Sequence, residues 1–321
     1  MTSTSVFPFG GRHLAQGTRQ QIQLPAGKLP SGTDLSLPIE VLHGSNAGPT
    51  IWLSGAIHGD EIVGVEIIRQ VLERLDERRL KGTIIAAPVV NVFGFVTGSR
   101  YLPDRRDLNR SFPGSHRGPL AGRLARIFVE EVVETCDVGI DFHAGSDDRT
   151  NLPQIRGNMD DPDTHRLARA FGAPLVVHSK TIKGSLREAA VKRGKRTLLF
   201  EGGEPRRFGG EAVDVGVAGT LRVISALDMG GTSEDPPPPP ETSPTESRST
   251  KWMRAPRGGI FRLETTLGAN VSRGDRLGII TGPSGRGGSE VRSRATGVVM
   301  GHAVNPLVHQ GDGLVHIAER P

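Results

Sequence analysis

Ile51-Trp52-Leu53-Ser54-Gly55-Ala56-Ile57-His58-Gly59-Asp60-Glu61 is the stretch on which the reading of this chain turns. The apolar run Ile51 to Ile57 has the length and residue types of a buried strand, and Ile62 to Leu75 follows with apolar residues at helical spacing. A histidine in the turn after a strand, with a glutamate three residues later opening a helix, can turn both side chains toward one point. Catalytic zinc takes three protein ligands from imidazole nitrogens and carboxylate oxygens and keeps a further position open. His58 and Glu61 therefore read as half of a zinc site whose third ligand comes from elsewhere.

Context, not spacing, carries that reading. With ten histidines and eighteen glutamates in 321 residues, chance alone supplies about half a His-x-x-Glu match. A second copy, His316-x-x-Glu319, lies in an alternating pattern (Leu314, Val315, Ile317) near the C-terminus, and we read it as a solvated strand end.

Composition narrows the classes. The chain is long enough for one large core and a small second domain. A single cysteine, Cys136, excludes an internal disulfide and a structural zinc site built from thiolates, so any metal must use histidine and carboxylate. Met1 to His13 lacks an apolar core of signal-peptide length, and no run approaches the roughly 20 apolar residues of a membrane span. A soluble, cytoplasmic protein with no membrane partner is expected. The net charge of +5 sits in residues 251–321, where ten Lys and Arg face five Asp and Glu. Those arginines are scattered and only Trp252 and Phe261 accompany them as aromatics, which argues against nucleic acid; a basic rim would instead steer a small anionic substrate. A homo-oligomer is compatible with the sequence.

Alternation of strand and helix patterns predicts an α/β domain with a largely parallel or mixed sheet over residues 1–229. Strands are expected at Thr50 to Gly55, Thr83 to Val90, Val138 to Phe142, Pro174 to Val177 and Thr197 to Phe200. Helices are expected at Glu61 to Leu75, Pro119 to Val133, Asp163 to Phe171, Ser185 to Lys192 and Val213 to Leu227. Residues 230–250, with five consecutive prolines, read as a linker or exposed loop, stiff around the prolines. Residues 251–321 hold two echoing halves, Gly274-Asp275-x-Leu277-x-Ile279 and Gly311-Asp312-x-Leu314-x-x-Ile317, which predict a small β-barrel or sandwich. It resembles biotinyl and lipoyl carrier domains, but its hairpin from Gly282 to Glu290 has no lysine to modify, so a pocket-shaping role fits better.

Functional side chains cluster at the C-terminal ends of strands in such sheets. His143, ending Asp141-Phe142-His143, is the natural third ligand, with Asp141 as support for the imidazole or the backbone. From Asn91 to Gly114 runs a stretch without helical or strand period, carrying Arg100, Arg105, Arg106 and Arg110. Guanidinium groups there can bind a carboxylate or polarise a carbonyl. Glu201, after the apolar Leu198-Leu199-Phe200 and before two glycines, suits a general base; Glu204 is the rival.

His58-x-x-Glu61, the loop closing on Asp107-Leu108-Asn109-Arg110, Asp141-x-His143 and Glu201-Gly202, in this order, resemble the succinylglutamate desuccinylase and aspartoacylase family from about Thr50 through the tail domain. The resemblance implies the zinc carboxypeptidase-like fold, a mixed central sheet flanked by helices, and hydrolysis of an N-acyl amino acid amide by water activated on one zinc per chain. It assigns the metal to His58, Glu61 and His143, and makes Glu201 general base and then proton donor. Arg100 polarises the scissile carbonyl, and Asn109 and Arg110 hold the substrate carboxylate. Arg156 is a further anion-binding candidate. Aspartoacylase draws a pocket tyrosine from its C-terminal domain, whereas the only tyrosine here is Tyr101. The competing reading keeps the zinc machinery but cuts a peptide or isopeptide bond, as a carboxypeptidase would.

Overall fold

In the computed structural model, residues 6–232 and 237–320 are described. Residues 233–236 of the proline-rich segment, the first residues of the N-terminal stretch and Pro321 fall outside them. Four parallel strands form the middle of the sheet, in the order Arg196–Gly203, Val138–His143, Asn46–Ser54 and Leu75–Ala87. Antiparallel strands extend it on both sides. Asp34–His43 and Thr18–Lys28 follow Leu75–Ala87, while Arg149–Gly157, Gly297–Ala303, Gly313–Glu319 and Thr250–Arg254 follow Arg196–Gly203. The sheet is mixed, as the sequence pattern predicts.

Every residue of Val138–His143 is buried, because helices cover both faces of the central strands. Alternation sorts the Asn46–Ser54 side chains between two cores. Ile51 and Leu53 join the core under the helices Val63–Glu73, Pro162–Phe171 and Gly210–Ala226. Trp52 joins the other, under Leu120–Phe128 and Leu186–Val191. Gly139 sits opposite Trp52 on the neighbouring strand, and a Cβ there would come within 1.9 Å of the indole, so only glycine lets the ring lie across that strand.

Each strand and helix expected between Thr50 and Leu227 is present with shifted ends, but several others were not foreseen. The helix expected from Glu61 starts at Val63, and that expected over Pro119 to Val133 turns from α into a single π segment at Val129–Val133. The stretch read as aperiodic from Asn91 holds a short helix, Val92–Thr97, capped by the Asn91 side chain, and a 3-10 turn, Leu108–Arg110. Arg149–Gly157 is a strand despite Pro153. Its ladder to Arg196–Gly203 is interrupted between Glu201 and Gly203, so the proline sits at the irregularity, where a missing N–H costs no ladder bond.

The proline-rich segment lends two short strands, Gly230–Thr232 against Leu75–Ala87 and Thr245–Ser247 against Leu175–His178. Beyond it lies a small antiparallel sheet, ordered Ser289–Arg292, Arg276–Thr281, Gly259–Leu263 and Leu307–Val308. It shares a core around Met253, Phe261, Leu277 and Leu314 with the three C-terminal strands that join the large sheet. Among the described residues no helix is long and apolar enough to cross a membrane.

Candidate metal centre and catalytic pocket

After the Asn46–Ser54 strand the chain turns sharply, and the Glu61 N–H donates to the His58 carbonyl at 3.0 Å. Gly59 permits the turn to lie on the Val92–Thr97 helix, since a Cβ there would come within 1.9 Å of the Gly94 carbonyl carbon. Gly59→Ala is therefore expected to cost about 1–3 kcal/mol, the usual range for overpacking, as read by chemical denaturation.

The turn brings His58 and Glu61 to His143, at the end of the next strand but one in sequence and the adjacent one in space. His58 Nδ1 lies 2.7 Å from Glu61 Oε1, and His143 Nδ1 lies 2.8 Å from Glu61 Oε2. All three side chains are buried, and one ligand atom from each falls within 4.8 Å of the others. Such spacing suits a single divalent ion with bonds of about 2.0–2.2 Å to imidazole and carboxylate.

Carboxylates hold the far side of each ring. Asp141 Oδ2 is 2.9 Å from His143 Nε2, and its other oxygen accepts from Ser54 Oγ at 2.8 Å. Asp107 Oδ1 is 3.2 Å from His58 Nε2, and Oδ2 accepts from Arg100 at 2.9 Å. Carboxylate partners fix the ring orientation and raise the basicity of a ligating histidine. Burial opposes charge on His58, His143 and Glu61, yet mutual attraction outweighs it, raising both imidazoles and holding the Glu61 carboxyl well below the usual range. Asp107→Asn is expected to weaken zinc binding about 10–100-fold, measured by chelator competition.

Glu201 stands directly opposite His143 on the neighbouring parallel strand, so both point to the same face. Asn151 Nδ2 donates to Glu201 Oε2 at 2.9 Å, and Arg156 lies 3.9 Å from Oε1. Glu204, the rival base, instead pairs with Arg207 and lines a different depression. Asn109 accepts the Leu186 N–H on its side-chain oxygen at 2.9 Å, which leaves its amide NH₂ free to donate.

The eight residues expected to bind metal, catalyse or hold substrate, from His58 to Glu201, line one cavity of about 260 Å³. The reading of His316 as a solvated strand end is corrected. It is 7% exposed, stacks on Trp252 and lines this same cavity, because Gly313–Glu319 is paired on both sides instead of lying at an edge. Sequence reasoning also missed Asn151, Arg149 and Arg187. Burial and the neighbouring Arg156 pull the Arg187 guanidinium down to about 10, and its N–H groups are spent on Ser179 and the Lys180 carbonyl. Nothing in the local sequence marks these residues; their places depend on strand order.

Residues 47–227 match the model of the succinylglutamate desuccinylase/aspartoacylase catalytic domain. The chain is 29% identical over 316 residues to the N-alpha-acetyl-L-2,4-diaminobutyric acid deacetylase of Halomonas elongata, covering 91% of this chain and 90% of that protein. A solved succinylglutamate desuccinylase/aspartoacylase from Rhodobacter sphaeroides superposes with a TM-score of 0.84 at 26% identity, covering 94% of this chain and 95% of that one. The product-bound ectoine utilization protein EutE (DoeB) from Ruegeria pomeroyi has the same fold, with a TM-score of 0.83 at 24% identity and coverage of 94% and 95%.

Proposed function

The chain belongs to the succinylglutamate desuccinylase/aspartoacylase family, and from that premise we propose that it is a zinc-dependent amidohydrolase that removes the acyl group from an N-acyl amino acid. The observation that carries this reading is the register of Glu201 against His143, which puts a carboxylate outside the buried His-Glu-His cluster on the same cavity. Zinc held by His58, Glu61 and His143 would supply Lewis acidity for the scissile carbonyl and bring the pKa of a water toward about 7.

The protein's own groups do the remaining work. Glu201 takes the proton of the attacking water on its carboxylate and returns it to the leaving amine nitrogen. Asn151 fixes one oxygen of that carboxylate, so the other meets the water in a set direction. Arg100, anchored by Asp107 and 3.3 Å from Glu61, stabilises negative charge developing on the carbonyl oxygen. The Asn109 amide and Arg110 hold the substrate carboxylate, and Arg156 adds positive charge nearby. The same reading gives catalysis to residues 1–229 and pocket shaping to residues 251–321, joined by 230–250. A cavity of about 260 Å³ suits an N-acyl amino acid better than an extended peptide.

The test compares zinc-loaded protein on N-acyl amino acids and on short peptides. The expected result is turnover of the former with kcat/KM at least about 100-fold higher. A preference for peptides would instead establish the carboxypeptidase-type reading.

A further inference from the structure

Trp252 and His316, from the C-terminal all-β unit, close one side of the catalytic cavity. Sheet register carries them there. Trp252 is opposite His316, His316 opposite Gly301, and Gly301 opposite Asn151, the residue that holds Glu201. Residues opposed on neighbouring strands share a face, so this row runs from the general base out to the aromatic pair. Gly301 is the one position in the row without a side chain, and a Cβ there would come within 2.6 Å of Asn151 Oδ1. Its absence lets the Asn151 side chain lie over this strand, on the side toward His316. At about 4.8 Å per strand the two lie about 10 Å apart, a span within reach of a small acylated amino acid.

His316 is itself unusual. It is 7% exposed, and the exposure it keeps is to the cavity that it lines. The ring stacks on Trp252 with centroids 4.3 Å apart and planes 11° from parallel, and the Arg149 guanidinium lies 5.0 Å from the indole centroid. Burial, with Arg156 and Arg149 nearby, pushes its pKa down to about 3, so the imidazole is neutral at working pH and offers one N–H and one lone pair. A polar group that lines a cavity is hydrated until a ligand arrives, and a ligand oxygen that accepts its N–H takes the place of that water.

We propose that the Trp252–His316 pair is the specificity-determining wall of the pocket, receiving a carboxylate or carbonyl oxygen at the end of the substrate remote from the metal and turning away an ammonium group. The inference rests on the deacylase reading. His316 donates its N–H to the oxygen while Arg149 and Arg156 supply positive charge; an ammonium at the same place would face two guanidinium groups. The oxygen belongs either to the amino-acid side chain or to the acyl chain. The Halomonas relative is named for a substrate that ends in an amine, so that compound is the one against which the wall is tested.

Zinc-loaded wild type, His316→Leu and His316→Gln would be assayed on N-acetylglycine, N-acetyl-L-aspartate, N-acetyl-L-glutamate, N-succinylglycine and N-acetyl-L-2,4-diaminobutyrate. Wild type is expected to favour a carboxylate-bearing compound over the diaminobutyrate by at least about 100-fold in kcat/KM. For that compound His316→Leu should raise KM about 10–100-fold with kcat little changed, leave N-acetylglycine untouched, and be largely rescued by His316→Gln. Preference within the panel then tells a side-chain carboxylate from an acyl one. Equal loss on N-acetylglycine, or a preference for the diaminobutyrate, overturns the wall. If no amide is turned over, the deacylase reading fails, and calorimetric binding of glutarate still decides: weakening of about 10-fold in His316→Leu supports the wall, and unchanged binding refutes it.

Discussion

Glu201→Gln is expected to lower kcat about 10²–10⁴-fold while bound zinc and KM stay close to those of the wild type. The substitution keeps the shape and the Asn151 hydrogen bond but removes the basic oxygen that accepts a proton. Glu201 is no part of the His58, Glu61 and His143 cluster, so metal retention separates loss of a base from loss of a ligand. Glu204→Gln serves as the control, because Glu204 turns to Arg207 and away from the cavity of the triad. Near-normal turnover in Glu201→Gln, with strong loss in Glu204→Gln, would reassign the base. Asn151→Ala should fall between the two, since a carboxylate free to rotate loses orientation but not basicity.

The contrast between Glu201 and His316 shows which parts of such a site a sequence exposes. Glu201, His143 and His58 each follow a run of apolar residues, and the rule that parallel strands present function at their C-terminal ends places them together without knowledge of strand order. His316 carries the same local signature as a solvated edge, an alternating pattern near a chain end. Only the pairing of Gly313–Glu319 between two other strands buries it, and that pairing joins residues far apart in the chain. Asn151 was hidden for a related reason. Pro153 beside it reads as a break, and the irregularity that accommodates the proline is a property of the ladder with Arg196–Gly203, invisible in either strand alone. Asp107 lay in plain view within the arginine-rich loop, but its task of bridging Arg100 and His58 emerges only once the loop folds back over the turn.

The cluster of buried charge makes the second large prediction. Wild-type protein is expected to bind about one zinc per chain and to be stabilised by about 4 kcal/mol at a free zinc concentration of 1,000 times Kd. In His143→Ala, by contrast, both the zinc and the zinc-dependent stabilisation should disappear, with activity falling to background. The loss has two parts. One ligand of three is gone, and the Glu61 and Asp141 carboxylates that faced the imidazole remain buried without it. An uncompensated buried charge costs about 3–5 kcal/mol, so the variant should also unfold at lower denaturant with no metal in the buffer. The double variant His143→Ala with Asp141→Asn removes one of those charges and should recover part of the stability without recovering zinc. That divergence distinguishes a metal centre from a structural ion cluster: in a purely structural cluster zinc would stabilise none of the proteins, and activity would follow stability across the series instead of following bound metal.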